Sequence, residues 1–177
     1  LPYDQNFEQG TQGWKTVFTT DNWQLGNSDQ HKISGNEGNF FAISSAYADK
    51  EVNVQDILYT PEIDLAEFSG QQVSLKFNHA FRVYQNYDKL SLMYRTDPNE
   101  EWIKISDMSA TASNRWIWKE ISIDIPDEAL VDDVQLGFSY NDSNQHAWGA
   151  AVDDIQLYVN TSSIMNLTLS KELIVYP

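Results

Sequence analysis

The sequence predicts an all-β protein, a sandwich of two antiparallel sheets. Three observations predict it: apolar residues alternate with period two in several segments, turn-rich stretches separate those segments, and helical periodicity is nearly absent. Aromatic residues make up 13% of the 177 residues, and aromatic and β-branched side chains favour strands over helices.

The alternation defines five strands in chain order. Their apolar faces are Val73, Leu75, Phe77, Phe81 and Val83; Leu90, Leu92 and Tyr94; Ile117, Ile121, Ile123 and Ile125; Val134, Leu136, Phe138 and Tyr140; and Ile155, Leu157 and Val159 within Ala151 to Val159. Turns are predicted at 96–100, 126–129 and 141–145. His79 shares the apolar parity of its strand, which indicates a buried, hydrogen-bonded histidine.

The polar stretch from Asp21 to Gly38 is rich in Gly and Asn and is predicted to be one long loop. Residues 1–159 are expected to form the sandwich. Residues 160–177 are expected to form a linker and the start of a separate C-terminal segment. The absence of an initiating methionine favours a piece of a longer protein.

The charge balance is strongly acidic, with 11 Lys and Arg against 26 Asp and Glu and a formal net charge of −15. Such a surface repels phosphate backbones and anionic lipids, so nucleic acid and membrane surfaces are poor partners. No stretch approaches the roughly 20 apolar residues of a membrane span.

Clustered carboxylates favour divalent cations. The lack of cysteine excludes disulfides and thiolate metal sites.

Five motifs occur in order between residues 1 and 155: Leu1 to Glu8 followed by Gly13-Trp14, Asp56 to Leu65 with the pattern L-x-T-P-x-I-D-L, Leu75 to His79 with L-x-F-x-H, Asp88 to Leu92, and Gly149 to Ile155 with DD-I. Together they resemble the cleaved-adhesin family, also called the choice-of-anchor J domain, of secreted Bacteroidetes proteins. The resemblance implies a MAM-like jelly roll without catalytic activity, secreted or at the cell surface.

The C-terminal residues Leu173 to Pro177 resemble the opening of a type IX sorting domain, which usually reads V-Y-P-N-P. The resemblance implies a parent protein that crosses the outer membrane and is released or anchored at the surface. A plain edge strand is the alternative.

The family resemblance also implies a structural Ca²⁺ ion that ties the N-terminal segment to the last strand through Glu8 and Asp153. Counted from Ile155 and Leu157, Asp153 faces the interior, where a charge needs a partner that a hard cation supplies. Backbone carbonyls of the loop from Asn36 to Asn39 would complete the ligands. Alternatively, both carboxylates are solvated or bonded to backbone amides.

The strand faces opposite the core carry a candidate sugar-binding surface. Flat rings flanked by hydrogen-bonding side chains are typical of such surfaces. The candidates are Trp116, Trp118, Arg82, Tyr84, Asn78, Arg95 and Asn141. Alternatively, a loop or a neighbouring domain covers the two tryptophan rings.

The segment Glu62-Ile63-Asp64-Leu65-Ala66-Glu67 fits the E-x-D-x-x-E pattern of laminarinase-like glycosidases. Retaining chemistry needs two carboxyls about 5 Å apart, which a bulged strand would provide. However, the adhesin-like signature already accounts for this segment, and no long β-region precedes it to form a cleft.

The sequence therefore favours a noncatalytic, calcium-stabilised adhesion or targeting module of a secreted multidomain protein. Its expected partners are a glycan, glycoprotein or extracellular matrix surface and the neighbouring domains of its parent. A protein-binding or structural accessory domain of a secreted peptidase is the alternative, and a glycosidase acting through Glu62, Asp64 and Glu67 is the remote one.

Overall fold

The computed structural model of the 177-residue chain describes residues 3–17, 23–27, 33, 40–44, 55–83, 85–113, 115–144 and 147–160. The strands in these ranges are β1 (Tyr3–Gln5), β2 (Lys15–Val17), β3 (Trp23–Asn27), β4 (Phe40–Ser44), β5 (Gln55–Tyr59), β6 (Val73–Arg82), β7 (Lys89–Arg95), β8 (Ile103–Asp107), β9 (Lys119–Asp124), β10 (Gln135–Asn141) and β11 (Gly149–Val159). Two short 3-10 helices, Ala66–Phe68 and Asp127–Ala129, precede β6 and β10.

The strands form two antiparallel sheets, which confirms the predicted all-β jelly-roll sandwich. Sheet A has the order β3-β4-β11-β6-β9, and β1 also pairs with β11. Sheet B has the order β2-β5-β10-β7-β8. No described helix is long and apolar enough to cross a membrane.

The main core lies between the inner faces of the two sheets. Alternate residues of β6, β7 and β10 point into it because successive side chains of a strand point to opposite faces. Phe138 is 1% exposed, and its ring centre lies 4.9 Å from that of Phe77 and 6.2 Å from that of Trp14. This aromatic centre joins sheet A, sheet B and the segment between β1 and β2.

The prediction for His79 is confirmed, since the side chain is 1% exposed on β6. Its Nε2 atom lies 3.3 Å from the carbonyl oxygen of Ser109. Burial lowers the pKa of His79 because the charged imidazolium loses its hydration.

The structure corrects two of the strand predictions. The predicted loop from Asp21 to Gly38 contains β3, whose residues Trp23 to Asn27 pair with β4 from Ser44 back to Phe40. Ile117 lies before the start of β9 and is 36% exposed, so it does not continue the apolar face of that strand. In both cases the outcome depends on pairing with distant strands, which local periodicity does not report.

The end of the described sandwich is Asn160, which remains bound to β6. Its backbone N–H donates to the carbonyl oxygen of Gln72 at 2.8 Å, and its Nδ2 atom donates to Ser74 Oγ at 2.8 Å. The remainder of the predicted linker and sorting segment lies outside the described residues.

Candidate functional site

The structure divides the predicted sugar-binding residues between the two outer faces of the sandwich. Asn78 and Arg82 alternate with buried Phe77 and Phe81 on β6 and therefore belong to the outer face of sheet A. Arg95 and Asn141 belong to β7 and β10 of sheet B. The predicted residues therefore do not form one surface, and Tyr84 lies outside the described residues.

Trp116 and Trp118 pack against a second, smaller apolar cluster on sheet A. Both precede β9, which starts at Lys119, so they do not stand on a strand as the alternation predicted. The cluster consists of Ile33, Phe41, Ile43, Ala80 and Ala151. Trp118 meets Phe41 edge to face, with ring centres 5.6 Å apart, and both tryptophans are half-buried. This packing buries part of the surface of both tryptophan side chains.

Arg82 also stacks on a ring that the sequence analysis did not single out. Its guanidinium carbon lies 3.5 Å from the ring centre of Trp148. Trp148 immediately precedes β11, and its neighbour Gly149 is the register partner of Arg82. A cation over an aromatic face at this distance is stabilising, which gives the arginine a structural role.

The outer face of sheet B carries a second aromatic group, the sheet B platform, formed by Tyr59, Trp102, Arg95 and Gly137. The ring centres of Tyr59 and Trp102 lie 5.6 Å apart, and both side chains remain half-exposed. The Arg95 guanidinium carbon lies 4.6 Å from the Trp102 ring centre and 5.2 Å from that of Tyr59. The platform therefore presents a cation and two rings to solvent.

Two further contacts hold Arg95 in place. Its Nε donates to Gln135 Oε1 at 2.8 Å, and its Nη1 donates to the carbonyl oxygen of Pro98 at 2.7 Å. Gln135 is the register partner of Arg95 and in turn donates to the carbonyl oxygen of Thr60 at 3.3 Å. This chain of bonds orients the guanidinium before any ligand arrives, which reduces the ordering cost of binding.

Gly137 makes room for the Trp102 ring in the sheet B platform. A Cβ at this position would lie 2.7 Å from Ile57 Cγ2 and 3.0 Å from Trp102 Cζ3. Only glycine lets the indole ring approach the sheet this closely. The sequence analysis missed Tyr59, Trp102 and Gly137, although a glycine inside an alternating strand often marks a close approach by another group.

The predicted calcium ligands lie near a junction in sheet A. Along one edge of β11, β4 pairs with Ala150 to Val152 and β1 pairs with Ile155 to Leu157. Between these segments β11 carries a bulge, where Asp154 has a φ of 50°. Glu8, three residues after β1, accepts the backbone N–H of Phe40 at the start of β4, with 2.7 Å between Oε1 and N.

The bulge corrects the parity argument for Asp153. Ala150 and Val152 face the core before the bulge, and Ile155 and Leu157 face it afterwards. Asp153 therefore alternates with Val152 and lies on the side of Asn78, its register partner. It is nonetheless completely buried, and its Oδ1 accepts the backbone N–H of Asp154 at 2.9 Å.

The register places the Glu8 contact beside Asp153. Continuing the β4–β11 pairing by two residues puts Phe40 opposite Asp154, so the strands bring Glu8 to the bulge that follows Asp153. Asn36 and Asn39 lie outside the described residues. Within the described ranges, no group of three or more His, Cys, Asp or Glu side chains is arranged to hold a metal ion. A cation here would depend on carbonyl ligands as well as the two carboxylates.

Acidic side chains are also buried at one end of the inner face of sheet B. Asp56 and Asp142 are fully buried and Asp88 is 4% exposed. The Tyr140 hydroxyl donates to Asp88 Oδ2 at 3.3 Å, and the backbone N–H of Trp23 donates to Asp56 Oδ2 at 2.7 Å. Burial, together with the charge of Asp88, raises the pKa of Tyr140, so the phenol remains a hydrogen-bond donor.

The glycosidase-like residues do not lie on a bulged strand. Glu62 precedes the bridge residue Ile63, and Glu67 lies in the 3-10 helix Ala66–Phe68; both are exposed. Asp64 Oδ1 accepts the backbone N–H of Ala66 at 3.0 Å. Its side chain also hydrogen-bonds Asp132, and this bond together with the like charge raises the pKa of Asp132. The bulged strand that the remote glycosidase alternative needs is therefore not present in this segment, whose Ile63 and Leu65 side chains are buried while Glu62, Asp64 and Glu67 are exposed.

Two cavities lie away from the sheet B platform. One, of about 470 Å³, lies between the edges of the two sheets and is lined by Phe7, Thr11, Trp14, Lys15, Thr16, Trp23, Gln24, Leu25, Ala42 and Leu58. The other, of about 560 Å³, lies on the outer face of sheet A beside Tyr3, Lys76 and Tyr158. Lys76 is paired with Glu120 at 3.0 Å and the Tyr158 hydroxyl with Ser122 at 2.8 Å, so their polar atoms already have partners.

The fold is similar to those of solved adhesin and carbohydrate-binding modules. The K1 and K2 cleaved adhesin domains of Lys-gingipain match with TM-scores of 0.69 and 0.68 and identities of 18% and 16%. The K1 domain, from Porphyromonas gingivalis W83, covers 90% of this chain and 99% of its own, and K2 covers 90% and 98%. The CBM27-1 module of Caldicellulosiruptor saccharolyticus, solved with mannohexaose, has a TM-score of 0.54, 13% identity and coverage of 88% and 96%.

At these identities the similarity shows the fold. No family model matches the sequence, and no curated protein matches it.

Proposed function

We propose that this chain is a noncatalytic glycan-binding module that attaches a secreted or cell-surface protein to a glycan or glycoprotein surface. The observation that carries the proposal is the sheet B platform, where half-exposed Tyr59 and Trp102 flank a preoriented Arg95 over Gly137. Rings of this kind bind the C–H faces of sugars, and the guanidinium donates hydrogen bonds to hydroxyl groups.

The fold similarity supports this function. The two adhesin domains and the mannohexaose-bound module have the same sandwich fold. A further neighbour, TmCBM61, was solved in complex with β-1,4-galactotriose, with a TM-score of 0.54 and 11% identity. Sites of this type act by recognition, and the proposed role requires no reacting carboxylate pair.

The two tryptophans on sheet A define a rival location. Trp116 and Trp118 remain half-buried and share their outer face with Asn78 and Arg82. The sheet B platform is favoured because Trp102 lies beside the oriented Arg95 guanidinium, whereas the sheet A rings pack onto an apolar cluster.

Affinity electrophoresis on β-1,4-galactan, β-mannan and xylan tests the proposal and its location. We expect Trp102→Ala to raise the dissociation constant at least tenfold, since an aromatic ring buried against the ligand contributes more than about 1.4 kcal/mol. Trp118→Ala is the matched control on sheet A. If Trp118→Ala abolishes binding while Trp102→Ala retains it, the site lies on sheet A. Binding to none of these glycans, nor to an acidic one, would contradict the proposed function.

We also propose that one Ca²⁺ ion stabilises the junction of β1, β4 and β11. The buried carboxylate of Asp153 and the position of Glu8 beside the bulge support it. Glu8 and Asp153 would hold the ion, with backbone carbonyls from the Asn36 to Asn39 segment. Its role would be to screen the carboxylates and fix the strand ends.

A protein-binding or structural role within a secreted peptidase is the alternative to glycan binding. On that reading Arg82, Trp148 and the sheet A cluster would contact a neighbouring domain of the parent protein. Failure of the wild type to bind any glycan, together with sensitivity to loss of the neighbouring domain, would favour it.

A further inference from the structure

We infer that the outer face of sheet B selects acidic glycans, such as polymers of uronic acids, over neutral ones. This inference rests on the proposed function and assigns a ligand class to the sheet B platform. It is carried by the register of the five strands, which collects basic side chains on one face of a protein whose net charge is −15.

One row of register partners crosses the whole sheet. It runs through Lys15 on β2, Tyr59 on β5, Gly137 on β10, Met93 on β7 and Lys104 on β8. Paired residues of antiparallel strands point to the same face, and the Trp102 ring over Gly137 identifies this face as the outer one. Lysines therefore stand at both ends of a row that has the aromatic platform at its centre.

Neighbouring rows add further positive charge. Arg95 and Gln135 are partners in the next row, and Lys89 and Asn141 are partners at the opposite end of the face. Lys15 and Lys89 are exposed and form no ion pair with another described residue. Four basic side chains, Lys15, Lys89, Arg95 and Lys104, thus share this face.

Within the paired rows of this face, the acidic side chain is Asp107, and it is already engaged. Asp107 accepts a hydrogen bond from Ser91 at 2.6 Å and pairs with Lys104 at 2.8 Å. Lys104, followed by Ser91, lowers the pKa of Asp107, so the aspartate stays ionised and balances Lys104. Within the paired rows, the positive charge that Asp107 does not balance therefore comes from Arg95, Lys15 and Lys89. The exposed Asp97, Glu100 and Glu101 lie outside these rows, in the connection between β7 and β8.

The spacing suits a chain of sugars that crosses the strands. Adjacent strands lie about 4.8 Å apart, so the row from β2 to β8 spans roughly 19 Å. A glycan stacked on Tyr59 and Trp102 would extend toward Lys15 on one side. Carboxylates of such a glycan would meet positive charge here and repulsion from the acidic surface elsewhere. A neutral glycan would gain the ring contacts alone.

The test compares polygalacturonate with the same polymer after carboxyl reduction, by affinity electrophoresis and calorimetry on the intact chain. At about 0.1 M salt we expect the acidic polymer to bind roughly tenfold more tightly. At about 1 M salt, where the Debye length falls from about 10 to about 3 Å, the difference should largely vanish. In the double variant K15Q/K89Q, the ratio of the affinities for the acidic and the reduced polymer should fall roughly three- to tenfold. K76Q, which removes a charge from the outer face of sheet A, should keep it.

The remaining outcomes separate this inference from the proposed function. Equal binding of the acidic and reduced polymers, both lost in Trp102→Ala, would overturn the charge selectivity and leave glycan binding intact. Failure of every glycan to bind would overturn both. If poly-glutamate binds as tightly as polygalacturonate, the face binds polyanions in general, and the inference is also overturned. Circular dichroism would verify that each variant is folded.

Discussion

The indole ring of Trp102 lies directly over Gly137, so close that a Cβ on the glycine would stand 3.0 Å from Trp102 Cζ3. Trp102 lies between β7 and β8, whereas Gly137 lies in the middle of β10. The contact therefore joins a connection at one end of the sheet to its central strand, and it forms the sheet B platform.

Gly137→Val should disrupt the platform. The added side chain would collide with Ile57 Cγ2 and the indole ring, and such overpacking costs about 1–3 kcal/mol. We expect a lower midpoint in urea and weaker glycan binding together. Ser139→Ala, at the next outer position of β10, is the control and should change both quantities little. Full retention of affinity in Gly137→Val would argue against Trp102 as a binding residue.

Phe138→Ala should destabilise the whole sandwich. The ring is 1% exposed and contacts Phe77 and Trp14 between the two sheets. Loss of a buried phenylalanine costs about 3–5 kcal/mol, which chemical denaturation would measure as a change in the free energy of unfolding. Ile103→Ala, at a side chain that is 49% exposed, should change it by less than about 0.5 kcal/mol. Similar losses in the two variants would contradict the described core.

Removal of Ca²⁺ should lower the melting temperature by several degrees. A ligand present at a hundredfold its dissociation constant stabilises the folded state by about 2.7 kcal/mol, and each kcal/mol shifts Tm by about 2–4 °C at this size. Asp153→Asn should abolish the response to a chelator in differential scanning calorimetry. Glu120→Gln, a surface carboxylate paired with Lys76, should retain it. An identical Tm of the wild type with and without excess chelator would exclude the site.

His79 should make stability depend on pH between 7 and 5. Burial lowers its pKa from 6.5, so below that value the unfolded chain binds a proton that the folded protein resists. The unfolded state then holds more protons, and the free energy of unfolding must fall as the pH falls. His79→Gln should flatten this part of the profile, measured by urea titrations at each pH. An unchanged slope would show that His79 is not the responsible group.

Much of the sandwich could be predicted from alternation alone. Leu90, Leu92, Phe138 and Tyr140 are buried as the period-two pattern required, because a strand with one covered face must alternate. Short strands such as β3 escaped detection, since Trp23 to Asn27 reads locally as a polar loop and becomes a strand through pairing with β4. The burial of Asp153 could likewise be predicted. The face of the sheet on which it lies could not, because the bulge at Asp154 shifts the alternation.

The candidate site was only partly predictable. Arg95 and Asn141 lie on an outer face as the alternation predicted. Their separation from Trp118 was not predicted, because periodicity distinguishes two faces of a strand without telling which sheet the strand joins. Tyr59, Gly137 and Lys104 are far apart in the chain and meet through register.

By itself, the sequence determined that the chain forms strands, which side chains of β6, β7 and β10 face the core, and that the whole molecule is acidic. Only the tertiary structure decided which strands are neighbours, and hence that a basic, aromatic face exists on sheet B. The physical reason is that alternation is a local property of one strand. Pairing between strands is set by contacts between residues distant in the chain, and a single sequence does not record them.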